Sequence, residues 1–403
     1  MKRSKLKILV EQKISVYILL LTLFVGAFIT VSFGAAVRHV LLGGPSLRGV
    51  FGETLLTVAE FPSLVKQVLT ETQSGRNQVI EDRFPDLDGF KKSGRIQAGA
   101  LEDKGYLLLS SYDKDKEQST VQMIRIADQQ ILYEWAPDID AMAALTDDEI
   151  VKSSYRIFHP LLLEDGGLVF QNGASPLFKI SPSSSVEWLI KGCYHHSNEQ
   201  DAEGNIWACS RMEPSSYAGT LSHLDDAIAH ISPAGEVLFK KSVAKILEEN
   251  GYRGLLAAGF SEDPIHLNDI QPALADSRFW KKGDLLLSMR HRSTIALYRP
   301  TTDKIVWLKT GPWMNQHDVD FINDHQISVF GNDLIWHKGN TARGDDHIPS
   351  EEVLLDGHNN VYIYDFTSDT VTTPYKKAMK SMEVKTMSEG RSEILPNGDV
   401  FIE

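Results

Sequence analysis

Polar turns followed by short apolar strands recur from about residue 100 to the end of the chain. Short strands separated by regular turn signals are typical of an all-β array. About four strands per unit in six copies predict a six-bladed β-propeller, with seven blades as the nearest alternative. A β-sandwich explains six similar units less well. The turn-strand units are L-E-D-K-G-Y-L-L-L-S-S from Leu101, L-E-D-G-G-L-V-F-Q-N from Leu163, Q-D-A-E-G-N-I-W-A-C-S from Gln200, W-K-K-G-D-L-L-L-S-M from Trp280, I-N-D-H-Q-I-S-V-F-G from Ile322 and L-P-N-G-D-V-F-I-E from Leu395.

The pattern breaks at both ends of this array. No charged residue occurs from Ile14 to Val37, and a run of roughly 20 apolar residues is enough to cross a bilayer. The run is longer than a signal-peptide core, so we expect an uncleaved anchor, with cleavage near F-G-A-A-V as the alternative.

At the C-terminal end of the array, Glu403 falls within the second strand of the last blade. That blade either is incomplete in this sequence or borrows strands from Ile96 onwards.

The predicted organisation therefore has four segments. Residues 1–13 form a cytoplasmic N-terminus and residues 14–37 a transmembrane anchor. Residues 38–90 form a spacer with short juxtamembrane helices and a linker, and residues 91–403 form the propeller, with a helical decoration at Val243 to Ala258.

Charge gives the expected orientation in the membrane. The residues before the apolar run include five basic ones, which predict a cytoplasmic N-terminus and a propeller in the periplasm, anchored by a single pass in the inner membrane. Cys193 and Cys209 would then meet an oxidising environment, where a disulfide is allowed if their strands bring them together. The five basic residues are Lys2, Arg3, Lys5, Lys7 and Lys13.

Composition narrows the function classes. The chain of 403 residues is 42% hydrophobic and carries a formal net charge of −13. This composition is typical of a globular protein, and its acidity argues against a nucleic-acid partner, which requires basic patches. Neither the number nor the spacing of the cysteines predicts a metal site.

One position of the repeat carries polar residues that the propeller would bring to a common channel. Functional groups gather in such pockets. Three chemistries fit a histidine ring: a divalent metal site, an inert polar wall, or a nucleophilic imidazole beside groups that hold an anion, such as Arg290 in L-L-L-S-M-R-H-R-S. The residues at this position are Gln97, His159, His196, His266, His317 and Arg391.

The stretch from Tyr194 to Asp333 resembles the arylsulfotransferase family, which consists of six-bladed propellers of the bacterial periplasm and their relatives. The resembling pieces are H-H-S-N-E-Q-D-A-E-G-N-I-W, I-H-L-N-D-I, G-D-L-L-L-S-M-R-H-R-S-T-I, G-P-W-M-N-Q-H-D-V and I-S-V-F-G-N-D. The resemblance implies transfer of a sulfuryl group from an aryl sulfate ester to a phenolic or other hydroxyl acceptor. It also implies a sulfohistidine intermediate and no nucleotide donor, metal or other cofactor.

The resemblance also implies residue roles. His317 in Q-H-D resembles the nucleophile, while His266 and Arg290 resemble the groups that hold the sulfuryl oxygens. His196, which fits the repeat position, is expected to contribute from the H-H pair. Further substrate-binding candidates are His195, Asn268, His159 and Arg391.

Two departures from the family pattern leave alternatives open. An anchor replaces the N-terminal β-domain that helps family members dimerise, so the oligomeric state is not predicted. Ser197 stands where an acidic residue usually follows the H-H pair, so the orientation of that imidazole is not predicted either. The alternative functions are a noncatalytic propeller that binds an anionic glycan or a protein partner, and a metal-dependent lyase or hydrolase.

Overall fold

The computed structural model describes residues 16–41, most of 54–62, 105–148, 150–216, 224–256, 263–338, 353–386 and 389–403. It divides into two compact units, 1–81 and 82–403. The linker predicted within residues 38–90 and the repeat residue Gln97 lie outside the described residues, as does most of the predicted spacer.

The N-terminal unit contains the predicted apolar helix. Helix α1 (Val16–Leu41) is exposed along its apolar length, and Val16–His39 is long and apolar enough to cross a membrane. Short helical stretches follow within residues 54–62.

The second unit is mostly β-sheet. Among its described residues, no sheet closes on itself. The sheets are, in turn, β1 (Tyr106–Asp113), β2 (Gln118–Arg125) and β3 (Gln130–Trp135); β4 (Phe158–Leu162), β5 (Leu168–Gln171), β6 (Ser175–Ile180), β7 (Val186–Gln200), β8 (Ile206–Arg211), β9 (Asp226–Ile231) and β10 (Val237–Ser242); β11 (Leu267–Pro272), β12 (Leu285–Met289), β13 (Thr294–Arg299) and β14 (Lys304–Thr310); β15 (Gln316–Phe321) and β16 (Gln326–Gly331), joined by β19 (Asn360–Asp365) and β20 (Thr370–Thr372); β17 (Ile335–Lys338) and β18 (Val353–Asp356); β21 (Ser392–Ile394) and β22 (Val400–Ile402).

The turns predicted from the sequence are closed by local hydrogen bonds, and a buried strand starts directly after the turn. In the second unit of the repeat, Gly166 adopts a φ of 80°, which a residue without a Cβ reaches at little cost. Its N–H donates to the Leu163 carbonyl at 2.9 Å, and Asp165 Oδ1 accepts from the Gly167 N–H at 2.8 Å. Strand β5 starts at the next residue, and all four of its residues are buried.

Strand β7 departs from the prediction of separate four-stranded units. Its first part pairs with β6 and its second part with β8, so two predicted units merge into one seven-stranded sheet. The pairing with β8 shifts register between Tyr194 and Asn198, where His196 has a φ of 55°. The chain thus passes from one unit to the next through a bulge rather than a loop.

Polar side chains link the first strands of successive units. Ser197 Oγ accepts from the Ile270 N–H at 3.0 Å, which joins β7 to β11. Two carboxylates repeat the same kind of contact further along the chain: Asp269 accepts from the Val319 N–H at 2.9 Å, and Asp318 accepts from the Ser392 N–H at 2.8 Å. Strands β7, β11, β15 and β21 are therefore neighbours in that order.

Apolar residues fill the space between these sheets. Buried aromatic side chains such as Trp135, Phe170 and Trp313 exclude water there, and this burial is the main favourable contribution to folding.

The predicted decoration after residue 242 is confirmed as a short helix and a following 3-10 turn. Ser242 Oγ caps the helix by accepting from the Lys245 N–H at 3.2 Å. The helices of this unit are α2 (Ile139–Ala143), α3 (Val243–Glu249) and α4 (Lys376–Ser381), with 3-10 turns at Lys152–Ser154, Arg253–Leu256 and Arg290–Arg292.

The two cysteines do not form the allowed disulfide. Cys193 lies in β7 and Cys209 in β8, and both are buried free thiols. The register pairs Tyr194 with Ser210, so the cysteines sit on adjacent strands without bonding. Burial raises the pKa of each thiol, which keeps it protonated and unreactive.

Candidate active site

Three histidines at the predicted repeat position share an unusual backbone conformation. His159, His196 and His266 have φ values of 41°, 55° and 54°. A residue with a Cβ reaches this region at a cost of about 1–3 kcal/mol, which the surrounding structure must offset. His159 and His196 lie within shifts of register, and His266 directly precedes β11, whose register shifts just after Leu267.

The repeat brings imidazoles from different sheets together. The ring centroid of His196 lies 5.0 Å from that of His266 and 6.4 Å from that of His317. These residues are far apart in sequence, and they meet because β7, β11 and β15 lie side by side. The convergence that the sequence pattern predicted is therefore present for these three side chains.

Two hydrogen bonds fix the tautomer of His317. Its Nδ1 lies 3.2 Å from the Asn315 carbonyl, which can only accept, so Nδ1 carries the proton. Its Nε2 lies 2.9 Å from the backbone N–H of Glu389, which can only donate, so Nε2 carries the lone pair. Burial, followed by the positive charge of Arg290, lowers the pKa of His317 to about 3. The ring is thus a neutral imidazole with its nucleophilic nitrogen defined.

Asp318 is not the partner of His317, because successive side chains of a strand point to opposite faces. Its Oδ2 accepts from the backbone N–H of Ser392, and its Oδ1 lies 3.7 Å from Arg391 Nε. The Asp318 carboxylate therefore binds groups at the start of the next unit of the repeat.

Asp263 holds His266 in place. Its Oδ1 accepts from the His266 backbone N–H at 3.1 Å, and its Oδ2 accepts from Nδ1 of the same residue. Burial raises the pKa of Asp263, but the hydrogen bond from His266 and nearby positive charges lower it further, so the net pKa is below its usual value. The carboxylate is ionised at neutral pH and assigns the Nδ1 proton to His266. The sequence reasoning missed Asp263, although a carboxylate three residues before a histidine at a turn was a usable signal.

Arg290 is held by the residue after it in sequence. Its Nη1 lies 2.9 Å from His291 Nε2, and His291 Nδ1 lies 2.6 Å from the Asp263 carbonyl. The Nε of Arg290 is buried and has no hydrogen-bond partner among the described residues. A guanidinium with a fixed orientation and a spare N–H is suited to an oxyanion.

The same cluster has donor atoms that could hold a metal ion. Ligand atoms of Asp263, His266 and His291 lie within 4.8 Å of one another. A carboxylate thus accompanies two of the histidines. However, Arg290 donates to His291 Nε2 and places a permanent positive charge beside the cluster. That charge favours an anion over a cation.

His195 and Asp226 orient His196, for which the sequence offered no partner. The two Nδ1 atoms of the histidine pair lie 2.8 Å apart and share one proton. His195 Nε2 lies 3.2 Å from the Ser210 carbonyl and 3.4 Å from Asp226 Oδ1. Burial and the neighbouring histidines lower the pKa of His196 well below its usual value, so its ring is neutral.

Comparison with known proteins identifies the family of the chain. A family model described as arylsulfotransferase (ASST) matches residues 164–403, more than half of the chain. The chain belongs to the arylsulfotransferase family. No curated protein matches it significantly.

Two solved structures are similar to this chain at low sequence identity. One is a protein of unknown function from Bacteroides caccae, with 12% identity over 74% of this chain and 81% of its own, at a TM-score of 0.45. The other is the hydrazine synthase of Kuenenia stuttgartiensis, with 11% identity over 63% of this chain and 59% of its own, at a TM-score of 0.36. With TM-scores below 0.5, neither supports an argument about this chain.

The other predicted site residues lie beside the histidine cluster. Burial, followed by the charge of Arg391, lowers the pKa of His159 well below its usual value. Arg391 lies 3.4 Å from Glu199, a β7 carboxylate whose pKa burial raises to about 7. Asn268 Nδ2 donates to the Gln316 carbonyl at 3.0 Å, so Asn268 fixes the strand that carries the neighbouring His317.

Proposed function

We propose that this chain moves a sulfuryl group from an aryl sulfate ester to a phenolic or other hydroxyl acceptor through a sulfohistidine on His317. The observation that carries the proposal is the neutral His317 ring, whose Nε2 bears the lone pair and whose pKa is lowered by burial and by the charge of Arg290. Neutral imidazole is a good nucleophile, and a guanidinium stabilises the oxygens of a transferring anion. Membership of the arylsulfotransferase family supports the same chemistry.

In the first half of the proposed reaction, His317 Nε2 attacks the donor's sulfur. The nitrogen–sulfur bond forms, the bond from sulfur to the phenolic oxygen breaks, and its electron pair leaves with the phenolate. The Glu389 N–H, which now donates to Nε2, must give way to the sulfur. Arg290 and a protonated His266, whose Nδ1–H donates to Asp263, balance the charge on the sulfuryl oxygens, and the Asn315 carbonyl keeps the Nδ1 proton of His317 in place.

In the second half, the acceptor's hydroxyl oxygen attacks sulfur. The nitrogen–sulfur bond breaks and its electron pair returns to Nε2, while the hydroxyl proton leaves with a base at the site or with the departed phenolate. This splits one difficult transfer into two easier ones. The chemistry needs no nucleotide donor.

The proposed fold for this chemistry is a six-bladed propeller with the histidine cluster at its axis. The sequential links between β7, β11, β15 and β21 support it. So does the ion pair from Arg391, just before β21, back to Glu199 on β7. In such an arrangement the first strand of each blade faces the same channel.

An aryl sulfate assay tests the proposed function. Purified protein should release a phenol from an aryl sulfate ester, and continued release should require an acceptor phenol. The control is the same reaction with donor alone, which should stop after about one turnover because the sulfohistidine has no acceptor. No release from a series of aryl sulfates would favour a noncatalytic propeller that binds an anionic glycan or a protein partner.

We also propose that the chain is a single-pass inner-membrane protein with its catalytic unit in the periplasm. The basic residues before α1 favour a cytoplasmic N-terminus. A reporter fused after residue 94 should therefore be active only when it requires export, as alkaline phosphatase does. The matched control is the same fusion with the five basic residues before α1 changed to Gln, which should weaken this bias. A cytoplasmic signal from the parent fusion would contradict the assignment.

A further inference from the structure

Arg290 and His266, the two groups proposed to hold the sulfuryl oxygens, are joined by a single hydrogen-bonded chain. The chain runs from Arg290 Nη1 to His291 Nε2, from His291 Nδ1 to the Asp263 carbonyl, and from the Asp263 carboxylate to the backbone N–H and Nδ1 of His266. Asp263 thus contacts His266 through its side chain and, through its backbone carbonyl, the His291 ring that holds Arg290.

Each link in this chain has one possible direction. The Asp263 carbonyl only accepts, so His291 carries its proton on Nδ1 and leaves Nε2 to accept from Arg290. The ionised Asp263 carboxylate also only accepts, so His266 carries its proton on Nδ1. Asp263 therefore orients both imidazole rings by accepting from their Nδ1–H groups.

The backbone fixes the same arrangement. The Arg290 N–H donates to the His266 carbonyl at 3.0 Å, and the His291 N–H donates to the Ile265 carbonyl at 3.1 Å. These bonds continue the pairing of β11 and β12 into the turn that carries Arg290. The ring centroids of His266 and His291 consequently lie 4.4 Å apart.

We infer that Asp263 and His291 are positioning residues that aim His266 and Arg290 at one anionic group. This inference rests on the proposed function, because it takes that group to be the sulfuryl group of an aryl sulfate. His291 acts through Arg290: without its acceptor, the long guanidinium side chain is free to leave the orientation that directs its spare Nε–H. Asp263 acts through His266: its carboxylate accepts from Nδ1–H of the protonated ring, which directs the Nε2–H at the anion, and without the carboxylate that orientation is lost. Displacement of a reacting group by about 1 Å can cost 10²-fold in rate.

Double-mutant cycles test the inference. The readouts are phenol release in the first turnover and the calorimetric affinity for an unreactive aryl sulfonate. His291→Ala alone should lower the first-turnover rate by about 10²-fold. In an Arg290→Lys background the same change should cost less than about 3-fold, because residues that act through a shared partner are not additive. Likewise, Asp263→Asn alone should lower the first-turnover rate, and in a His266→Gln background the same change should cost less than about 3-fold.

Matched controls separate positioning from general damage. Asp201 and His230 form another aspartate–histidine pair, at 2.8 Å, away from the cluster. Asp201→Asn and His230→Ala should leave phenol release and sulfonate affinity unchanged. His291→Gln, which keeps an acceptor near Arg290, should recover part of the rate lost in His291→Ala.

The outcomes distinguish this inference from the proposed function. Costs that multiply in the double variants of an active protein would overturn the positioning roles and leave the sulfuryl transfer intact. A parent protein that neither releases phenol nor binds the sulfonate would overturn the proposed function and, with it, this inference. Double variants that lose less phenol release or less sulfonate affinity than the two single losses combined would support the positioning roles.

Discussion

His317→Asn should abolish sulfuryl transfer. Asparagine has no ring nitrogen with a lone pair, so no sulfohistidine can form, and loss of a nucleophile typically costs about 10⁶-fold in turnover. The variant should still fold, because the ring nitrogens of His317 bind the backbone groups of Asn315 and Glu389 and no charged side chain. Phenol release with donor and acceptor measures the first expectation, and the thermal midpoint measures the second.

Acid stability supplies an independent readout for the same variant. The folded-state pKa of His317 is about 3, whereas an unfolded histidine titrates near 6.5. Below pH 6.5 the unfolded chain therefore binds a proton that the folded chain does not, and the parent loses stability as the pH falls towards 3. The asparagine variant has no imidazole at this position to take up that proton on unfolding. Its free energy of unfolding should improve relative to the parent by up to about 1.4 kcal/mol per pH unit across that window.

The control for His317→Asn is His230→Asn. His230 stacks on Trp207, with ring centroids 4.2 Å apart, and lies outside the cluster. This variant should keep the parent's transfer rate. An active His317→Asn protein would show that His317 is part of the scaffold.

Arg290→Lys should lower turnover by about 10²–10³-fold while the fold stays intact. Lysine keeps the charge but lacks the planar fork that can donate to two sulfuryl oxygens at once. It also cannot donate to His291 Nε2 and direct a second N–H towards the substrate from the same rigid group. Removal of one oxyanion donor typically costs this much. Steady-state phenol release and the thermal midpoint together measure the effect.

Arg299→Lys is the matched control for this substitution. Arg299 also donates through two nitrogens, to Asp284 at 2.8 and 2.7 Å, but it lies at the far end of β13 from the turn that carries Arg290. The loss of this fork should affect stability and leave turnover unchanged. If Arg290→Lys is as fast as the parent, Arg290 does not contact the transferring group.

Much of the strand pattern could be predicted from the sequence because its causes are local. The L-E-D-G-G turn contains a glycine that adopts a positive φ and an aspartate that binds a backbone N–H, and β5 follows directly. Alternation and turn chemistry act over a few residues, so they are visible in the sequence. The merging of two units through β7 was not visible, because it depends on which neighbouring strands each half of that strand pairs with.

The site was partly predictable for a related reason. His196, His266 and His317 occupy equivalent positions of a repeat, and equivalent positions of neighbouring first strands meet in space. The partners that set their protonation were not predictable in this way. The Asp263 carboxylate and the Glu389 N–H act through side-chain and loop contacts specific to one unit, and a repeat pattern contains no information about them.

The mass of the intact protein after exposure to an aryl sulfate without acceptor tests the central claim most directly. The account predicts a mass gain of one sulfuryl group that is labile in acid, maps to the peptide containing His317, and disappears when an acceptor phenol is added. The same treatment of His317→Asn should give no gain. An unchanged parent mass while phenol is released at the normal rate on addition of acceptor, or a sulfuryl group on a different residue, would contradict the account.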